Sequence, residues 1–200
     1  RGPDFAELGL SVLSGMQRIF KTQAPVVIYP SSGTGAWEAC LSNVLKAGDQ
    51  VLFYETGQFA TLWKQMADRL GIETEFLAGD WRNGVDADRI EARLRQDTKH
   101  AIKAVCCVHH ETSCGITSDI AAVRQAIDAV GHSALLLVDS ISGLASVDYE
   151  HDQWGADVTV SGSQKGLMMP PGLGFNALSD RALEAAKNGG SQRSYWDWQE

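Results

Sequence analysis

The sequence predicts an α/β fold: a three-layer arrangement built on a mostly parallel seven-stranded sheet. Three observations predict it. Short apolar or β-branched runs alternate with amphipathic stretches, the pattern of repeated βα units. The amphipathic stretches carry start and stop signals, with aspartates ahead of some and glycines behind others. No internal repeat, low-complexity tract or linker interrupts the 200 residues, which therefore read as one unit.

In chain order, Val26–Tyr29 is the first strand, and the glycine-bearing segment Ser31–Ala36 joins it to a helix over Ala36–Lys46. Gly48 stops that helix before the strand Val51–Tyr54, and Glu55–Phe59 leads into a helix over Phe59–Leu70. Gly71 ends it ahead of the strand Glu73–Leu77, after which Asp86 reads as the N-cap of a helix over Asp86–Arg95. The strand Ala104–His109 and the segment His109–Gly115 precede Asp119, the N-cap of a helix over Ile120–Val130 that Gly131 closes. The strand Leu135–Asp139 is wholly apolar until its last residue, and the strands Val158–Ser161 and Gly174–Leu178 come before a last helix over Asp180–Lys187. In each helical stretch the apolar residues recur at the 3.6-residue spacing. Ligands of such sheets bind beyond the carboxyl ends of the strands. The chemically suggestive residues fall in five segments there: Ser31–Ala36, Glu55–Phe59, His109–Gly115, Asp139–Gly143 and Ser161–Gly166.

Composition narrows the function classes. Hydrophobic residues make up 44% and charged residues 21%, an ordinary globular balance. A formal net charge of −8 disfavours a nucleic-acid partner, which would want a basic face. Cys40, Cys106, Cys107 and Cys114 show no CxxC or other zinc-ligand spacing, so they read as packing thiols of a reducing, cytoplasmic setting. No apolar stretch approaches the ~20 residues of a membrane span, and no signal peptide is visible. The chain starts at Arg1 and ends beside the aromatic cluster Tyr195-Trp196-Asp197-Trp198, which suggests a piece of a longer protein.

The most informative stretch is Val158–Gly174, in which Lys165 sits in a turn of small residues after Ser161, Gly162, Ser163 and Gln164. A lysine able to form a Schiff base, with a buried aspartate able to pair with a pyridinium nitrogen, is what pyridoxal phosphate (PLP) requires. Asp139, at the end of its strand, is the candidate aspartate; an N-cap role for the following turn fits it equally. Ser31-Ser32-Gly33-Thr34-Gly35-Ala36 can present helix N-terminal amides and hydroxyls to a phosphate, although a ligand-free βα turn would look the same. It is neither a Walker loop nor a GxGxxG fingerprint. Phe59 is a candidate to stack on a planar ring, with a core role as its rival. His109, His110 and Glu111 match no usual zinc spacing and read as structural, while Thr112 or Ser113 could donate to a cofactor. Met168, Met169, Pro170 and Pro171 read as a rigid apolar loop behind the lysine.

The segments SGTGAWEA (Ser32–Ala39), GDWRNGVD (Gly79–Asp86), VHHETSCGITSDI (Val108–Ile120), LLLVDSISGLAS (Leu135–Ser146) and GSQKGLMMPPGLG (Gly162–Gly174) resemble class V PLP-dependent aminotransferases. Within that class the resemblance is to the serine–glyoxylate group, related to the alanine–glyoxylate group. It runs the length of the chain and implies the PLP-binding large domain of a fold-type I transferase over 1–200, without the N-terminal arm and the C-terminal small domain. It implies further that Lys165 is the Schiff-base lysine and Gln164 its phosphate-side neighbour. Ser32, Gly33, Thr34 and Gly35 would form the phosphate loop. Phe59 and Ile141 would lie on opposite ring faces, Thr112 would contact the cofactor, and Asp139 would hold the ring nitrogen. The family's substrate-carboxylate arginine and the phosphate ligands lent by a second subunit would lie outside these residues. Cysteine desulfurases share the fold but carry a histidine where Gln164 stands. The implied reaction is amino transfer from L-serine to glyoxylate, giving hydroxypyruvate and glycine, with alanine or aspartate as alternative donors. A non-catalytic phosphate-binding module is the rival from another class, but it has no use for the Lys165–Asp139 pair. Partners would be amino acid and 2-oxo acid substrates, with no nucleic acid or membrane, in a homodimer or homotetramer. A peroxisomal location would need a C-terminal signal beyond Glu200.

Overall fold

The structure, a computed structural model, describes residues 2–199. The helices are α1 (Pro3–Phe20), α2 (Gly33–Val44), α3 (Gln58–Arg69), α4 (Ala87–Gln96), α5 (Ile120–Ala129) and α6 (Asp180–Asn188). The strands are β1 (Val26–Pro30), β2 (Gln50–Tyr54), β3 (Glu73–Leu77), β4 (Ile102–Val108), β5 (His110–Glu111), β6 (Ile116–Thr117), β7 (Leu135–Asp139), β8 (Val158–Gly162) and β9 (Leu173–Leu178).

Seven strands form one sheet in the order β1-β9-β8-β7-β4-β2-β3. The pairings β8–β7, β7–β4, β4–β2 and β2–β3 are parallel. Only β9 runs against the rest, pairing antiparallel with both β1 and β8. Alternate residues of each strand feed two cores, which makes the fold three-layered. Leu52, Val105, Cys107, Leu136 and Val138 face α4 and α5 together with Met16 and Phe20 of α1. Val51, Phe53, Cys106, Leu137 and Val160 face α2, α3 and α6.

The helix punctuation acts as its chemistry requires. Asp86 and Asp119 accept the Arg89 and Ala122 amides at 3.1 and 2.9 Å. Gly48, Gly71 and Gly131 take φ of +85°, +76° and +61°, a region open to glycine. One boundary departs from expectation. Gly33–Gly35 is the first turn of α2 rather than a loop before it. Ser32 is the extended N-cap, and its carbonyl accepts the Ala36 amide at 3.1 Å. The glycines are there because the neighbours leave no room: a Cβ on Gly33 would lie 2.3 Å from Ile141 Cδ1. Close packing overrides helix propensity at that turn.

Two features have no counterpart in the sequence pattern: α1 and the short β5–β6 hairpin. Helix α1 buries only Met16 and Phe20 and leaves Phe5, Leu8 and Leu10 largely in solvent. Among the described residues no helix is long and apolar enough to cross a membrane.

Candidate active site at the carboxyl edge of the sheet

Strands β1, β2, β4, β7 and β8 all point their carboxyl ends at one edge, so the five segments after them meet there. Between them lies a cavity of about 230 Å³. Ser32, Gly33, Thr34, Phe59, Thr112, Asp139, Ile141, Gln164 and Lys165 all line it, joined by Trp37, His110 and Ser142. Gly35 does not. A Cβ there would lie 2.0 Å from Ser31 Oγ and 2.9 Å from Trp196, so its place is in the packing beneath the α2 turn. A larger cavity of about 540 Å³ opens at the opposite edge. Its buried carboxylate, Asp157, is already paired with Arg181 at 3.2 Å, so volume alone does not identify the site.

The start of α2 supplies an anion cradle. The amides of Gly33, Thr34 and Gly35 lie ahead of the helical ladder, and no side chain of Ser32 caps them. A Cβ on Gly162 would stand 3.3 Å from Gly33 N, so the end of β8 closes directly onto this turn. Gln164 brings an amide here whose Oε1 is buried and has no hydrogen-bond partner, a group in need of one.

Asp139 is 3% exposed at the end of β7. Its Oδ1 accepts the Ile141 amide at 2.7 Å and its Oδ2 accepts the Trp37 indole N–H at 3.0 Å. Burial pushes its pKa up to about 7, against the pull of those two donors and the Lys165 charge; Glu111 adds to the rise. Lys165 is exposed and makes no ion pair among the described residues. The turn that carries it is held by the Met168 amide donating to Lys165 O at 2.9 Å. Met168 and Met169 stand in solvent, 91% and 54% exposed, and do not line the cavity. The turn ties them through backbone alone, so their side chains find no core to enter.

Phe59 owes its place to Glu111, which the sequence brings up only as a rejected metal ligand. Gly57 offers α3 no side-chain cap. Glu111, fully buried on the hairpin, fills that role, accepting the Phe59 and Ala60 amides at 3.3 Å each. Ser113 Oγ donates to Glu111 at 2.7 Å and accepts the Gln58 amide at 3.0 Å. Thr112 and Ser142 share a hydrogen bond between their hydroxyls at the cavity wall.

His109 packs in the core, whereas His110 lines the cavity. His110 Nδ1 lies 2.8 Å from Thr117 Oγ1 across the hairpin. His109 is buried with Nδ1 3.1 Å from Ser140 Oγ, its ring 5.0 Å from Tyr149 and 5.5 Å from Trp154. Burial lowers its pKa to about 4. Cys106 and Cys107 lie on opposite faces of β4, and burial raises both thiols, Cys107 to about 12. They are inert packing groups.

These residues suit PLP. Open helix amides match a phosphate, and a buried carboxyl matches a ring nitrogen that must stay protonated. Ile141 and Phe59 offer apolar faces to a ring, and Gln164 lines the cavity with an amide NH2 able to donate to a phosphate.

The sequence profile of the aminotransferase class-V family matches residues 13–200. The chain belongs to the class V aminotransferase family. Serine–glyoxylate aminotransferase of Methylorubrum extorquens is 44% identical over 206 aligned positions, covering 100% of this chain and 51% of that protein. L-Aspartate–glyoxylate aminotransferase of Paracoccus denitrificans is 43% identical, covering 98% and 50%. The crystal structure of an alanine–glyoxylate aminotransferase from Nostoc superposes with a TM-score of 0.89 at 28% identity, covering 99% of this chain and 52% of that one. The chain thus spans about half the length of the class V aminotransferases it matches. Members of this class are in general PLP-dependent.

Proposed function

We propose that this chain is the PLP-binding large domain of an aminotransferase whose whole protein transfers the amino group of L-serine to glyoxylate. The observation that carries the reading is the delivery of Lys165 and Asp139 by β8 and β7 to one cavity, beside the open N-terminus of α2. The 44% identity to a serine–glyoxylate aminotransferase supports the donor and acceptor. The similar identity to an L-aspartate–glyoxylate enzyme keeps aspartate as the second donor to test.

When bound, PLP supplies an aldehyde carbon for an amine and a ring that withdraws electrons from the substrate Cα. The chain's residues do the rest. Lys165 Nζ is the amine that would hold the aldehyde. Released by the incoming amino group, it would take the proton from the substrate Cα and return it on the cofactor side, acting as base and then acid. Asp139 would keep the ring nitrogen protonated. Ser32, Gly33, Thr34 and Gln164 would bind the phosphate; Gly35 would serve through its backbone amide. Phe59 and Ile141 would hold the ring faces and Thr112 would donate from the rim. The substrate carboxylate would be bound by residues outside this chain, from the rest of the protein or a second subunit. The exposed apolar side chains of α1 and of Met168–Met169 support such a covering partner, in a homodimer or homotetramer. Four unpaired thiols, three of them buried, suit a cytoplasmic setting.

The test uses the full-length protein with PLP. Wild type should turn yellow, and borohydride should bleach that band by fixing the cofactor to the lysine as a secondary amine. Lys165→Ala should abolish the fixable band and lower turnover by at least about 10²–10⁴-fold. A variant with normal band and normal turnover would refute the assignment. Initial rates with serine, aspartate and alanine against glyoxylate rank the donors.

A further inference from the structure

We infer that Trp37 is a positioning residue for the ring nitrogen: its indole N–H orients Asp139 and favours the carboxylate over the acid. The inference rests on the proposed PLP reading and deepens it. Trp37 lies on α2, 4% exposed, and its Nε1 donates to Asp139 Oδ2 at 3.0 Å across 102 positions of sequence. Its ring cannot turn freely. It stacks on Trp63 with centroids 5.9 Å apart and planes 14° apart, and Phe59 leans on it at 6.4 Å. Trp63 is in turn fully buried, edge-on to Phe53 at 5.7 Å. This aromatic stack fixes the direction of the N–H, as a loop-borne donor could not.

The chemistry favours this donor over a charged one. Asp139 must present negative charge to a cationic ring nitrogen, yet burial opposes its ionisation. Oδ1 is already committed to the Ile141 amide at 2.7 Å. Of the charged groups acting on Asp139, Glu111 opposes ionisation and Lys165 favours it. Lys165 would be held by the aldehyde and then released during turnover, so its charge is not a constant support. A guanidinium at position 37 would favour ionisation but neutralise the carboxylate it helped. An indole N–H stabilises the anion and adds no charge. Trp63 provides the contrast: its Nε1 is also buried, but it has no partner, so its ring serves packing alone.

The experiment compares wild-type, Trp37→Phe and Trp63→Phe full-length proteins, each loaded with PLP and checked for folding by circular dichroism. Phenylalanine keeps a stacked ring at 37 and removes the donor. Trp37→Phe should weaken PLP binding by about 10- to 100-fold, the loss of one hydrogen bond to a charged group. It should also shift the pH at which the visible band titrates and lower kcat more than it raises KM. Trp63→Phe should leave the band's pH dependence as in wild type. In the double variant with Asp139→Asn, the Trp37 change should add little, because it acts through that carboxylate. Where Trp37→Phe does not fold, the Trp37 indole proton of wild type, followed by NMR, should move with the band as pH is varied. PLP binding and band titration unchanged by Trp37→Phe, or an indole resonance that ignores the band's titration, would overturn the inference and leave the PLP reading standing. A wild-type protein that takes up no PLP would overturn both.

Discussion

Gly166 decides how near the lysine turn can come to the turn after β7. A Cβ at this position would lie 2.2 Å from Leu144 O and 2.8 Å from Ser146 N. Both are backbone atoms, so neither can swing aside. Gly166→Ala must therefore lift the turn and carry Lys165 away from Asp139. The expected loss is about 1–3 kcal/mol of stability, with PLP leaving on dialysis that wild type survives. Chemical denaturation and the visible spectrum check the two halves separately; a fully stable, fully loaded variant would show that the contact is not tight. Lys165 was legible in sequence because small residues and no neighbouring charge surround it. Asp139 was legible because a carboxylate ends an apolar run. Trp37 was not, since a tryptophan on an amphipathic helix reads as core. Only the crossing of α2 over the end of β7 turns its N–H toward Asp139.

Among the elements, α3 shows how a helix can be started from outside. Its own N-terminus has Gly57 and no side-chain cap, so the Glu111 carboxylate on the β5–β6 hairpin accepts its first amides. Glu111→Gln keeps the shape but removes the charge that suits a helix N-terminus. It should cost about 1 kcal/mol, the usual worth of a cap. It should also ease Asp139 ionisation, since Glu111 raises that group's pKa. Thermal unfolding measures the first effect and the pH titration of the PLP band the second. If neither moves, Glu111 is not what seats Phe59. Most of the seven main strands were legible as apolar or β-branched runs bounded by turn residues, whereas β3, ETEFL, holds no buried residue and was placed by Gly71 and Gly79 on either side. The hairpin was not, because strands of two residues have no period to read. The start of α2 was misread for a related reason: glycines favour loops locally, and only contact with Ile141 and Ser31 requires them inside a helical turn.

At the scale of the whole molecule, buried histidines and one buried carboxyl set how stability responds to mild acid. His109 and His151 titrate near 4 in the fold instead of 6.5, because burial disfavours their charged forms. Asp139 titrates near 7 instead of 3.8 for the same reason. Between about pH 4 and 6.5 the unfolded chain binds two protons, on the histidines, where the fold binds none. Over the same range the fold binds one proton, on Asp139, where the unfolded chain binds none. Net of Asp139, His109 and His151 leave one proton more on the unfolded side, and the lowered His132 adds to it, so stability of the PLP-free chain rises with pH by at least about 1.4 kcal/mol per pH unit. The lowered surface carboxylates Asp68, Asp80, Asp97 and Asp148 act below their ordinary value of 3.8, outside this window. Above about pH 6.5 the histidine contribution is complete, and ionising Asp139 takes back a little stability up to pH 7. Asp139→Asn removes the opposing proton and should steepen the slope by about 1.4 kcal/mol per pH unit. Replacing His109, His132 and His151 with glutamine should reverse its sign, since Asp139 then titrates without the opposing histidines. Urea midpoints at half-unit pH intervals give these slopes directly. A triple histidine variant whose stability still rises from pH 4 to 6.5 would show that other groups govern the acid response.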